Sequence, residues 1–227
     1  MSLKLSVLLP IYNEERELDA CLKTVLASSI ASEIIAVDDC STDATPQILA
    51  RYNDPRLCVV RHAQNRGKGG AVQTALSHAT GDVIIIQDAD TEYDPGDYGD
   101  LLRELANAPR DGARPAVVYG VRDTSSQPLV GHLGNQFLTI ATNLLCGTHL
   151  RDMETCYKLV PTGLMRELKL ESRGFEIEPE ITTKLARRHV RFFQVPVAYK
   201  PRKEKKLRRL RDGTRSLLAL VKYRFSA

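Results

Sequence analysis

Residues 83–95, VIIIQDADTEYDP, carry an apolar run straight into a cluster of carboxylates. Four β-branched residues in a row, with no polar alternation, describe a short strand covered on both faces, the habit of a parallel sheet flanked by helices. Asp88, Asp90, Glu92 and Asp94 then fall within seven positions at the carboxyl end of that strand. Like charges that close repel unless a cation offsets them. Hard oxygen donors suit Mg2+ or Mn2+, with substrate phosphates completing the coordination shell. The expectation is a strand that delivers a divalent-metal site.

Working outward, the runs LSVLLPI (5–11), EIIAVD (33–38), LCVVR (57–61), DVIIIQD (82–88), AVVYGV (116–121) and FFQVPVAY (192–199) read as strands. Between the first two, Leu18, Cys21, Leu22, Val25 and Leu26 form one helical stripe, expected to be entered through Asn13 with Glu14 and Glu15 in its first turn. Ala71, Ala75, Leu76 and Ala79 repeat the pattern after RGKGG, and further helices are expected near 131–147, 161–170, 176–189 and 212–225. This alternation predicts an α/β fold with a Rossmann-like, mainly parallel central sheet flanked by helices. With no linker or repeat, the chain reads as a single domain over 1–227. Residues 1–120 form a nucleotide-binding half, 121–199 an acceptor half, and 200–227 a basic tail with an amphipathic C-terminal helix. PIYNEE, VDDCSTDAT and QDADTEYDP follow three of the strands, so they are expected to line one crevice at the carboxyl edge of the sheet.

Composition narrows the class. The chain has 227 residues, 43% of them hydrophobic, enough for a full core. The N-terminal apolar run is too short for a signal peptide, and no run approaches the roughly 20 apolar residues that cross a bilayer. Five cysteines without C-x-x-C spacing argue against a disulfide framework or a structural zinc site and for reduced thiols in the cytoplasm. The net charge of +4 is uneven: residues 200–211 hold +7, leaving −3 elsewhere. Such a block suits phosphates or anionic lipid. Nucleic-acid binding is disfavoured because no aromatic residue is interleaved there.

LSVLLPIYNEE, EIIAVDDCSTDAT, NRGKGGAV, GDVIIIQDADTEYDP and DMETCYK occur in an order and spacing that resembles the family 2 glycosyltransferases of the GT-A fold, in the branch of dolichol-phosphate mannose synthase and polyprenyl-phosphate glucosyltransferases. The resemblance covers almost the whole chain. It implies an inverting, metal-dependent transfer of a hexose from GDP-mannose or UDP-glucose to a polyprenyl or dolichyl phosphate. It also implies that Pro10, Tyr12, Glu14, Val37 and Asp39 hold the nucleoside. Asp88, Ala89 and Asp90 match the D-x-D element, with Asp88, Asp90 and Glu92 as ligands of Mg2+ or Mn2+ and Asp90 catalytic. Cys40 stands where glycine is usual. NRGKGGAV lacks the spacing of a phosphate-cradling loop, so Gly67 and Lys68 are given a supporting place beside the donor.

Arg122, Arg202 and Lys206 match basic positions used for phosphates of the donor nucleotide sugar or of the acceptor, and His132 and Asn135 could add hydrogen bonds. The alternative is a hydroxyl acceptor, saccharide or small molecule, with Asp152 as general base. In the last helix Leu217, Leu218, Val221 and Phe225 share one face while Arg215, Lys222 and Arg224 stay polar. That pattern predicts either a helix docked on the core or peripheral contact with the inner face of the cell membrane.

Overall fold

The computed structural model describes residues 3–109, 114–125, 129–202 and 209–226. Its first half alternates β1 (Leu5–Ile11), α1 (Leu18–Ala27), β2 (Ala31–Asp38), α2 (Thr45–Leu49), β3 (Leu57–Arg61), α3 (Gly67–His78) and β4 (Val83–Ile86). After α4 (Tyr98–Asn107) come β5 (Ala116–Arg122), α5 (Leu129–Cys146), β6 (Lys158–Pro161), α6 (Thr162–Glu167), α7 (Ile177–Arg187), β7 (Arg191–Val197) and α8 (Arg209–Phe225). One seven-stranded sheet runs in the order β3-β2-β1-β4-β6-β5-β7. The β1–β2, β2–β3, β1–β4 and β5–β7 pairs are parallel, and β6 is antiparallel to both of its neighbours.

The continuous apolar runs behave as their composition demands, because all seven residues of β1 and all four of β4 are buried. Ser6, the polar member of β1, donates to Glu33 and accepts from the Gly81 amide at 2.9 Å, so its burial leaves no orphaned hydroxyl. The chain leaves β1 toward β2 on one side and returns to β4 on the other. The loops at those two carboxyl ends therefore part and leave a crevice.

The structure departs from the sequence expectation at α1 and at β6. Residues 14–17 form turns and α1 begins at Leu18, with Asn13 at a left-handed φ of 51° ahead of them. The amides of Asn13 and Glu14 instead donate to Ser41 Oγ and Thr45 Oγ1 at 2.9 Å each, tying the first strand-end loop to the second. Cys40 does occupy a glycine-like backbone, with φ 64°. The short β6 was missed, since a four-residue strand paired only with distant β4 and β5 has no local signature.

Candidate active site

The crevice is a cavity of about 880 Å³. Pro10, Tyr12 and Glu14 line it from the end of β1, and Asp88, Ala89, Asp90 and Glu92 from the end of β4. Lys68 of α3, Arg122 of β5, Asn135 of α5 and Arg202 beyond β7 also reach it, as does Asp39. Val37 does not line it; it is fully buried in β2, opposite Pro10. Lys206 lies outside the described residues.

Residues 87–90 leave the sheet over a rigid support. Gln87 is buried, and its Oε1 accepts from Tyr98 Oη at 2.7 Å and Tyr157 Oη at 2.6 Å. The acids beyond it meet cations. Asp88 Oδ1 lies 2.7 Å from Lys68 Nζ, and Asp90 Oδ2 lies 3.0 Å from Arg202, whose guanidinium also reaches Glu14 at 3.2 Å. Glu92 accepts from Tyr199 Oη at 3.0 Å and from the Arg202 amide at 2.8 Å. Burial works to raise Asp88, but Lys68, followed by Arg202 and Arg122, holds its carboxyl below the ordinary range. Burial, then the charges of Asp88 and Glu92, pushes Asp90 up to about 7 against the pull of Arg202.

Among the described residues no group of three His, Cys, Asp or Glu side chains is arranged to hold a metal ion. The donor chemistry nonetheless fits a divalent cation, because Asp88 and Asp90 offer hard oxygens to one cavity and Asp90 sits in an excess of negative charge. One or two carboxylates completed by substrate phosphates is the habit of Mg2+.

Asp39 is occupied locally. Its carboxylate accepts from the Arg66 and Gly67 amides at 2.8 and 2.7 Å and lies 2.6 Å from His62 Nδ1, so it caps the start of α3. The glycines of RGKGG serve close packing. Gly69 donates to Arg173 O at 2.7 Å, and a Cβ on Gly69 would lie 2.1 Å from Ser172 O. The Gly67 and Gly69 amides at the start of α3 are thus engaged by Asp39 and by Arg173 O.

Asp152 lies behind Arg122 and does not line the cavity. It is 2% exposed, and Arg122 donates to it from Nε at 2.6 Å and from a terminal nitrogen at 2.8 Å, with Asn135 adding a bond at 3.2 Å. Burial alone would raise Asp152, but the guanidinium holds it below the usual carboxylate range, which suits an anchor better than a base. Arg122 is also stacked 5.2 Å from the Tyr199 ring. His132 does not line the cavity, and both its ring nitrogens are engaged, with Thr124 and Gln136 at 2.8 Å each.

Two acids escaped the sequence reading. Glu178, on the buried face of α7, ion-pairs with Lys158 and sits 3.1 Å from Lys68, so Lys68 bridges Asp88 and Glu178. In the sequence, EIEPE looks like ordinary first-turn acids of a helix. Glu154 lines the cavity, and its Oε1 is sealed from solvent with no hydrogen-bond partner among the described residues. Burial, with Glu178 adding repulsion against the pull of Lys158, pushes Glu154 up to about 7.

An acid raised in the folded state keeps a proton that the unfolded chain has lost, so stability falls as pH rises from about 4.5 toward 7. Glu154→Gln should therefore stabilise the protein by about 3 kcal/mol at pH 8 and by less than about 0.5 kcal/mol near pH 4.5, read from melts at the two values. Equal shifts at both would disprove the assignment.

Comparison with known proteins places this geometry. The model of "Glycosyl transferase family 2" matches residues 6–168. A dolichyl-phosphate beta-glucosyltransferase of Drosophila melanogaster is 36% identical over 211 residues, covering 78% of this chain and 61% of that protein. The low-salt glycan biosynthesis hexosyltransferase of Haloferax volcanii is 29% identical over 216 residues, covering 93% of this chain. This chain spans about half of that relative's length, 51%. Glucosyl-3-phosphoglycerate synthase from Mycobacterium tuberculosis, solved with uridine diphosphate, superposes with a TM-score of 0.76 at 22% identity, covering 98% of this chain and 80% of that one. The fold is thus that of GT-A glycosyltransferases, as the motif order implied, and the chain belongs to glycosyl transferase family 2.

Proposed function

We propose that the chain moves a hexose from GDP-mannose or UDP-glucose to a polyprenyl or dolichyl phosphate, in one displacement with inversion at the anomeric carbon. The observation that carries this reading is the pairing of Asp152 with Arg122. A hydroxyl acceptor must surrender a proton, and the acid expected to take it is held ionised and shielded by a guanidinium. A phosphate oxygen is already ionised at neutral pH and needs only cations to position it. Arg122 and Arg202 face the cavity with that charge. The dolichyl-phosphate relative supports the same acceptor class.

The nucleoside would rest against Pro10 and Tyr12, with the diphosphate turned toward Asp88 and Asp90. Mg2+ or Mn2+, held by Asp88 and Asp90 with Glu92 beside them, would supply Lewis-acid stabilisation of the leaving diphosphate. The cation is in keeping with a structural neighbour solved with Mn2+ and UDP-glucose. Lys68 keeps Asp88 ionised and oriented. Arg202 neutralises Asp90 and Glu14 until the donor brings its own charge. The acceptor oxygen forms the new bond to the anomeric carbon as the bond to the diphosphate breaks.

A second reading rests on Glu154. A cavity carboxyl near 7 has the poise of a general base, so a hydroxyl-directed transferase would use it in place of Asp152. Labelled sugar transfer to polyprenyl phosphate and to the free polyprenol, run in parallel for wild type and Glu154→Gln, separates the two. The expected result is label on the phosphorylated lipid alone, with Glu154→Gln still active. Transfer to the free alcohol that falls about 10²-fold in Glu154→Gln would replace the first reading with the second.

A further inference from the structure

The loop before β6 is held firmly in place. The Met153 amide donates to Thr139 Oγ1 at 3.1 Å, the Cys156 amide to Tyr93 Oη at 3.2 Å and the Tyr157 amide to Thr155 Oγ1 at 3.3 Å. Met153, Thr155 and Cys156 are buried, so Glu154 projects from a backbone with fixed neighbours on both sides. It is partly exposed and lines the cavity, yet its Oε1 is sealed from solvent and has no hydrogen-bond partner among the described residues. The two cations whose charge it feels are already paired, Lys158 with Glu178 and Arg122 with Asp152. An unpaired buried oxygen costs stability, and a cavity wall is where a ligand can supply its missing partner.

The neighbours of Glu154 define which part of a ligand that is. Arg122 faces the cavity as a cation for the acceptor phosphate, while Glu178 holds Lys68 against Asp88 at the diphosphate end. Glu154 feels the charges of both Arg122 and Glu178, so it stands on the wall between the two phosphate positions. In a single displacement the hexose occupies that interval. We infer that Glu154 hydrogen-bonds a hydroxyl of the donor hexose and so helps to decide which sugar is transferred, an inference that rests on the transfer reading above. A hydroxyl both donates and accepts, so it pairs with the carboxyl whether or not the carboxyl holds a proton. A phosphate in its place would meet the carboxylate as a like charge. This is a different task from that of a base, because no proton leaves the substrate and the partner is the donor sugar rather than the acceptor. Glutamine keeps one donor group and one acceptor at the site, whereas alanine keeps neither.

The test reads donor binding rather than turnover. Wild type, Glu154→Gln and Glu154→Ala are titrated at neutral pH, with Mn2+, against UDP, UDP-glucose and a set of UDP-glucose analogues each lacking one sugar hydroxyl. GDP, GDP-mannose and its deoxy analogues are run in the same way, and melts check that each variant is folded. Wild type should bind one analogue about tenfold less tightly than the parent sugar nucleotide. That penalty should persist in Glu154→Gln and shrink below about twofold in Glu154→Ala, while the free nucleoside diphosphate binds all three proteins alike. A folded Glu154→Ala that retains every penalty seen in wild type would overturn the inference, as would a wild type that penalises no analogue. Equal loss of the free diphosphate and the sugar nucleotide in Glu154→Ala would also overturn it, since the residue would then shape the site as a whole. A wild type that binds neither sugar nucleotide would remove the transfer reading itself and this inference with it, an outcome distinct from the other three.

Discussion

Asp90→Asn should lower the rate of sugar transfer by about 10²–10³-fold without lowering the melting temperature, the size of effect seen when one preorganised electrostatic group is removed. Asp90 is 5% exposed and faces the cavity, between a second acid and a guanidinium. Its charge works against the fold, because Asp88 and Glu92 repel it; neutralising it loosens Arg202, while the Asn carbonyl can still accept from the Glu92 amide, now at 3.0 Å. Arg202 keeps Glu14 at 3.2 Å and Glu17 at 3.6 Å as alternative partners. Chelation gives the companion measurement. EDTA should bring wild type down toward the variant while leaving the variant almost unaffected, since both remove the same electrostatic element. Full turnover of wild type in EDTA, or of Asp90→Asn without it, would exclude the metal-assisted reading.

The second large effect belongs to the buried pair behind the cavity. Arg122 and Asp152 have side chains only 10% and 2% exposed, joined bidentately. Removing one partner strands the other charge in a poorly solvated site, which costs about 3–5 kcal/mol. Arg122→Ala or Asp152→Asn should therefore melt roughly 6–20 °C lower, given about 2–4 °C per kcal/mol for a domain of this size. The double replacement Arg122→Met/Asp152→Leu should recover most of that loss, because it strands nothing, and should remain inactive, because the cavity has lost a cation. The pH dependence follows from the sign of the shift. Asp152 is depressed in the folded state, so its contribution is present above about pH 4 and is lost as pH falls through the folded value. The gap between wild type and Asp152→Asn should close in acid. A single variant that keeps the wild-type melting point, or a double variant that restores transfer, would show that the pair is not what holds Arg122 in place.

Such pairings mark the line between what could be read along the chain and what could not. The alternation of buried strands with helices, the crevice at their carboxyl ends and the D-x-D acids within it were legible from 5–11, 33–38 and 83–95. Those signals are local: an unbroken β-branched run marks a strand, and acids directly after it sit at a strand end. Cys40 was legible in the same way, as a turn position taking φ 64° without glycine. The start of α1 was misplaced because Glu14 and Glu15 resemble first-turn acids, whereas a contact with Ser41 sets the backbone of Asn13.

The sequence by itself thus determined the architecture and the family, and most of the site residues it singled out line the cavity. Tertiary structure alone decided the state of those residues. Asp152 is paired bidentately with Arg122, 30 positions away, which engages both of its oxygens. Lys68 is a bridge because Glu178, 110 positions away, faces it across from Asp88. Glu154 reads as one acid in DMETCYK until burial and Glu178 raise it. In α5, Val130, Leu133, Phe137, Ile140 and Leu144 have the periodicity of a buried stripe, and only packing against the core through the helix's other face shows that they are exposed. The reason is common to all four. Periodicity and strand propensity act between neighbours in the chain, whereas desolvation and Coulomb forces depend on whichever groups the fold brings within a few ångströms, and no local pattern records that.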